Sequence, residues 1–241
     1  MNKKTLFVTS VALTLLVTAY ASVESYSLKR VVKVGDESSM KFEASFKFQE
    51  QDVKVSGVNV EKVVKVTEKG FQTETLQKET KILFAGTPVN DGQEDPPATV
   101  TDYGFDNLVT KIGDTPGVED TENYRMLLLQ TVPAPEKAVA VGDKWSHDFA
   151  AMKVKIGGKD LQTRKAKGDY EAVAVETLFG KSCLKVKMSY KELEGEDPSS
   201  AEGTIWVEVV SGETYKISQV VKNAPIPGMP PLEVTFTSEK K

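Results

Sequence analysis

The chain carries a single histidine and a single cysteine, so imidazole or thiolate chemistry has one place each to happen. His147 lies in Trp145-Ser146-His147-Asp148, which contains the residue types of a serine-hydrolase triad. On a strand, successive side chains point to opposite faces, so Ser146 and Asp148 share a face that excludes His147. With no G-x-S-x-G or comparable element, His147 reads as a surface or strand-edge residue. A hydrolase would need a hydroxyl and a carboxylate brought to His147 from elsewhere in the fold. One histidine and one cysteine exclude a structural zinc site. Cys183 sits in an apolar strand and reads as a buried thiol, and alone it forms no internal disulfide.

Acidic clusters occur at Asp91, Glu94 and Asp95 and at Asp114, Glu119 and Asp120. Neither follows the spacing of a calcium loop, so they read as solvated loop charge and helix-start acids. A carboxylate pair for glycoside hydrolysis is defined by separation in space and has no sequence signature. No metal and no cofactor are expected, and the chain reads as non-catalytic.

The elements that position these residues begin with the first 21. Lys3 and Lys4 precede an apolar run from Leu6 to Val17 and the motif Ala19-Tyr20-Ala21. A positive start, an apolar stretch and an A-x-A site make a signal peptide, with cleavage expected between Ala21 and Ser22. The apolar run is shorter than the roughly 20 residues that span a bilayer. Ser22 stands where a lipoprotein has its acylated cysteine, so no stable membrane anchor is expected after cleavage. The implied location is periplasmic or extracellular in a bacterial cell.

Cleavage lowers the basic count from 31 to 29 and leaves 35 acidic residues, a net charge of −6. That balance argues against a nucleic-acid partner. Apolar residues make up 39% of the chain, enough for a packed core.

In Met40-Lys41-Phe42-Glu43-Ala44-Ser45-Phe46-Lys47-Phe48 the apolar side chains alternate, the period of a half-buried strand. Val58, Val60, Val64 and Val66 continue the pattern, Glu68-Lys69-Gly70 reads as a turn, and 71–84 as a long strand, together an antiparallel meander. Residues 86–97 read as an exposed loop, followed by a short strand and turn over 98–113. Thr115-Pro116 looks like a helix start, and one helix is expected over 118–131 with an apolar face of Tyr124, Met126, Leu127 and Leu128. After Pro133 and Pro135, strands are expected over 144–156, 162–177, 182–193, 203–210, 214–221 and 232–237. Alternating lysines such as Lys185, Lys187 and Lys191 read as a solvated sheet face. Pro225-Ile226-Pro227-Gly228-Met229-Pro230-Pro231 reads as a stiff, extended crossover, or as a hydrophobic rim for a partner.

The fold class is therefore mainly β (α+β): curved antiparallel sheet in two meander halves with one central helix. The organisation is a signal peptide (1–21), an N-terminal β half (22–113), a helix and connector (114–132) and a C-terminal β half (133–241), as one domain or two closely packed ones. Val34-Gly35-Asp36 recurs as Val141-Gly142-Asp143, each time opening a run of strands. An internal duplication and a coincidence of common turn residues both account for this.

Residues 135–145, Pro-Glu-Lys-Ala-Val-Ala-Val-Gly-Asp-Lys-Trp, resemble a recurring element of uncharacterised exported bacterial proteins with paired antiparallel sheets. Ile205-Trp206-Val207 followed by Gly212-Glu213-Thr214-Tyr215-Lys216 looks like the strand-turn-strand of the lipoprotein-carrier-like (LolA/LppX-type) half-barrel. That resemblance implies a curved sheet, lined by a helix, that cups a hydrophobic ligand. It puts Tyr124, Leu127, Leu128, Trp145, Trp206 and Met229 forward as ligand-lining residues. Two readings follow. One is a binding module for a hydrophobic small molecule or lipid-linked partner; the other is an envelope structural or protein-interaction protein whose core is filled by its own side chains. A hydrolase is a minor third.

Overall fold

The computed structural model describes residues 24–89, 95–112, 121–156 and 159–241. The expected signal peptide, its cleavage site at Ala21–Ser22, the helix start at Thr115-Pro116 and most of the acidic clusters lie outside these residues. The strands are β1 (Ser25–Tyr26), β2 (Glu37–Phe48), β3 (Gln51–Thr67), β4 (Gly70–Phe84), β5 (Thr87–Pro88), β6 (Thr99–Gly104) and β7 (Val109–Ile112). After helix α1 (Glu122–Leu128) come β8 (Val139–Ala140), β9 (Lys144–Phe149), β10 (Lys153–Ile156), β11 (Lys159–Gln162), β12 (Ala166–Leu178), β13 (Lys181–Glu192), β14 (Ser200–Glu208), β15 (Thr214–Lys222) and β16 (Val234–Lys240). No described helix is long and apolar enough to cross a membrane.

The fold is mainly β with one described helix, as the alternation predicts. One antiparallel sheet runs β7-β6-β4-β3-β2-β16-β15-β14-β13-β12-β9, with β5 on β4. The two meanders meet where β16 pairs with β2, Phe236 opposite Ala44. The expected strand over 144–156 is interrupted: Asp148 and Phe149 still pair with β12, whereas Lys153–Ile156 turns away into a separate ribbon with β11.

Eleven strands spaced about 4.8 Å apart would span about 50 Å if flat, yet the edges of this sheet reach consecutive residues. The Ala134 N–H donates to the Asp106 carbonyl beside edge strand β7 at 2.8 Å, and Trp145 Nε1 on the opposite edge strand β9 donates to the Pro133 carbonyl at 3.1 Å. The sheet is thus an open half-barrel whose two edges are bridged by residues 133–134. Strand twist supplies the curvature, and the bridge covers edges that would otherwise invite pairing with another chain.

The segment before β2 laces across one end of the half-barrel. Arg30 and Val31 donate their N–H groups to the carbonyls of Phe105 and Ser211, each at 2.8 Å, and Asn107 Nδ2 donates to the Leu28 carbonyl at 3.2 Å. Gly212 permits this crossing: at φ +67° a Cβ there would lie 2.5 Å from the Lys29 carbonyl oxygen.

The repeated Val-Gly-Asp turns have the same geometry. Gly35 and Gly142 adopt φ +92° and +98°. Their N–H groups donate to Val63 and Ala172 at 2.8 and 2.7 Å, while Val63 and Ala172 donate back to the Asp36 and Asp143 carbonyls at 2.9 Å in both cases. The Asp36 and Asp143 carboxylates each accept a backbone N–H three residues upstream at 2.8 Å. Each turn docks where the register slips, between Val63 and Lys65 on β3 and between Ala172 and Ala174 on β12. The two halves are structurally equivalent here.

At both glycines a Cβ would meet nothing within 4 Å, so substitution costs backbone strain alone. Gly35→Ala and Gly142→Ala are each expected to destabilise by about 1–3 kcal/mol, and equally, in urea unfolding. A difference well above 1 kcal/mol would contradict the equivalence of the turns.

Candidate functional site

Helix α1 is seated by charge. Arg125 is buried on the helix, and its Nε and Nη2 donate to the two oxygens of Glu192 on β13 at 2.6 and 2.8 Å. Nη2 also reaches Ser199 Oγ at 2.9 Å. Arg164 Nη1 approaches Glu192 from the other side at 3.0 Å, and the Ser199 N–H adds a bond at 2.8 Å. A buried ion needs such complete partnering. Burial alone pushes the Glu192 carboxyl up, but the Arg125 and Ser199 hydrogen bonds and the two guanidinium charges outweigh it and hold it below its ordinary 4.5.

Further anchors tie the helix and its exit to the same half. Tyr124 OH donates to Met152 Sδ at 3.4 Å, and Tyr170 OH donates to the Thr131 carbonyl at 3.2 Å. Trp145 stacks on Tyr170 with ring centres 5.5 Å apart. Leu128, Leu129, Leu184, Met188, Tyr190 and Ile205 fill the space between helix and strands and are at most 4% exposed.

The N-terminal half is left less covered. Phe42, Ala44, Phe48, Val55, Ile82 and Phe84 share the inner face of β2–β4 and are half-buried, as are Met126 and Leu127 on the helix and Ile226 in the proline-rich crossover. Gly57 makes room for the Phe42 ring, whose Cε1 would lie 2.8 Å from a Cβ there. This half-buried apolar surface packs against the core cluster. Ser238, opposite Phe42 on β16, marks its boundary with a polar cavity of about 190 Å³ under the crossing N-terminal segment. Arg30, Asn59, Glu61, Thr75, Gln130 and Glu213 line that cavity, together with Leu127. Burial and the Glu61 charge raise the phenol of Tyr103, another lining residue, above its ordinary 10, so it stays protonated as a donor.

Of the six residues put forward as ligand-lining, the structure brings one, Leu127, to the cavity. Tyr124 and Leu128 are core residues, and Trp145 is half-buried between Tyr170 and Pro133. Trp206 lies on the outer face, where its Nε1 donates to Glu176 at 2.7 Å and Lys185 and Lys216 stand over its ring at 5.3 and 5.7 Å. Met229 is at the exposed tip of the crossover, whose neck is closed by Ala224 N–H donating to the Leu232 carbonyl at 2.8 Å. His147 is half-buried on the inner side of edge strand β9, edge-on to Phe149 at 4.7 Å, while Ser146 and Asp148 are exposed. Cys183 is buried, and burial, with Glu208 nearby, pushes its thiol up to about 11.

Sequence reasoning missed Arg125, Glu192 and the inward polar residues Asn59, Glu61 and Thr75. Gln219 belongs with them: it is 3% exposed on the inner face, and neither amide atom has a hydrogen-bond partner among the described residues.

These features define an open antiparallel half-barrel with its helix pinned to one half. No family model matches the chain, and no curated protein matches it. Among solved structures it is similar to the hypothetical lipoprotein YmcC from Escherichia coli, at 14% identity and TM-score 0.33, covering 83% of this chain and 82% of that one. A candidate exported protein with a YmcC-like fold from Bacteroides fragilis has 12% identity and TM-score 0.33, covering 90% and 97%. A candidate lipoprotein from Parabacteroides distasonis has 12% identity and TM-score 0.32, covering 90% and 100%. TM-scores of this size lie below the level that fixes a shared fold.

Glu192→Gln leaves Arg125 buried beside a neutral side chain and is expected to cost about 3–5 kcal/mol at pH 7. Because the Glu192 pKa is lowered, its contribution is complete above pH 4.5 and is lost as pH falls through the lowered value. Urea titrations from pH 7 to pH 3 should show wild-type stability falling towards that of the variant. Parallel curves would contradict the assignment.

Proposed function

We propose that this protein is an exported, non-catalytic binding module that holds a hydrophobic or amphipathic small molecule on the inner face of its N-terminal half. The observation that carries the reading is the half-buried apolar face of Phe42, Ala44, Val55, Ile82 and Phe84, the trough of the binding site, on the inner side of a sheet whose helix is pinned to the other half by Arg125. Concave apolar surface with a few convergent polar groups is the usual form of a ligand site. Each methylene that enters such a surface contributes about 0.8 kcal/mol. Export is supported by the charge and apolar pattern of residues 1–21.

The tight packing of Leu128, Leu129 and Tyr190 against the C-terminal half favours the structural reading for that half alone. On the binding reading the ligand lies by Leu127 and β2–β4 and not by Tyr124 and Leu128.

Titration of residues 22–241 with a dansyl-labelled undecanoic acid tests the proposal. Saturable one-to-one binding with a blue-shifted emission is expected. Ile82→Asp, which puts a charge into the trough, should weaken it at least tenfold, or about 1.4 kcal/mol, with circular dichroism unchanged. Absence of saturable binding, or equal affinity in a folded Ile82→Asp variant, would overturn it.

A further inference from the structure

We propose that the polar cavity beneath the crossing N-terminal segment takes an uncharged, polyhydroxylated group of about one sugar ring, as the head of the molecule whose apolar part lies in the trough. This inference rests on the binding reading above and adds the chemistry of the head group.

Size sets the first limit. A cavity of about 190 Å³ far exceeds the roughly 10–15 Å³ that admits one water, so a group the size of one sugar ring fits.

Charge sets the second. The charged groups at the cavity are already matched: Arg30 Nη2 lies 3.5 Å from Glu61, and Lys240 Nζ bonds to Glu213 and to Ser38 Oγ. Two cations balanced by two carboxylates leave no net field to recognise an ion, and an added charge would be desolvated without a counter-charge.

Hydrogen-bonding capacity sets the third. Asn59, Gln130 and Thr75 line the cavity, and each side chain both donates and accepts. Arg30 Nε is buried without a partner among the described residues and supplies a donor, while the Glu61 and Glu213 oxygens supply acceptors. Hydroxyl groups, which also donate and accept, match this mixed set. A phosphate only accepts and a quaternary ammonium does neither. The cavity adjoins the trough at Ser238, which lines the one and pairs with Phe42 of the other, so head and tail sites are neighbours on the sheet.

Four amphiphiles with the same ten-carbon chain separate head from tail: decyl glucoside, decyl phosphate, decyltrimethylammonium and decanol, each titrated calorimetrically below its micelle concentration. The glucoside is expected to bind at least tenfold more tightly than the other three. Gln130→Leu should bring it down to the decanol level and leave decanol affinity unchanged. Asn59→Leu serves as a second variant should Gln130→Leu fail to fold. If the charged amphiphiles match or exceed the glucoside, or if the variants weaken all four alike, the head-group assignment is wrong while the trough stands. Binding by none of the four would overturn both.

Discussion

The fold depends on one buried ion pair. Helix α1 is only seven residues long, too short to be stable alone in water, so its place is fixed by what it touches. Arg125 meets Glu192 with two hydrogen bonds in a region where a lone guanidinium would be prohibitively desolvated. Buried pairs of this kind add little net stability compared with apolar residues of the same shape. What the pair supplies is position: it selects the C-terminal half of the sheet as the helix's partner, and Tyr124, Leu128 and Leu129 then fill that half. The inner surface of β2–β4 is left half-buried, and an asymmetric half-barrel results.

The same asymmetry explains the covers. An open sheet of this width exposes two edges and two ends. Residues 133–134 bridge the edges through Asp106 and Trp145, and residues 28–36 cross the end that carries the polar cavity. Asn107 ties the two covers together, since its side-chain amide donates both to Leu28 and to Val132, at 3.2 and 3.3 Å. The polar cavity lies where these covers meet the inner face, which is why its lining mixes backbone-spanning loops with sheet residues.

Much of the architecture was legible in the sequence, because a half-buried strand repeats every two residues. Met40–Phe48 shows that period clearly, and the Glu68-Lys69-Gly70 turn and five of the six later strands follow the pattern of apolar runs and turn residues, while 144–156 divides between the sheet and a separate ribbon. The Val-Gly-Asp repeat was visible too, though only the matched hydrogen bonds show that the turns are equivalent. The site was far less legible. Trp206 is flanked by apolar Ile205 and Val207, so alternation does not say which face it takes, and it lies outside. Arg125 on an amphipathic helix reads as solvated until its partner 67 residues away is known. Asn59, Glu61 and Thr75 have the composition of an outer face but point inward, where a cavity tolerates polarity that a filled core would not. Residues lining the trough and residues filling the core share one composition, and helix placement alone tells them apart.

Native mass spectrometry of residues 22–241, purified gently from the envelope of the source cell and compared before and after organic extraction, tests the central claim most directly. The account predicts a near-stoichiometric adduct, removed by extraction, that fragments as an amphiphile with an uncharged polar head. A clean apo mass in both samples would contradict it and assign the half-barrel to a structural or protein-binding role.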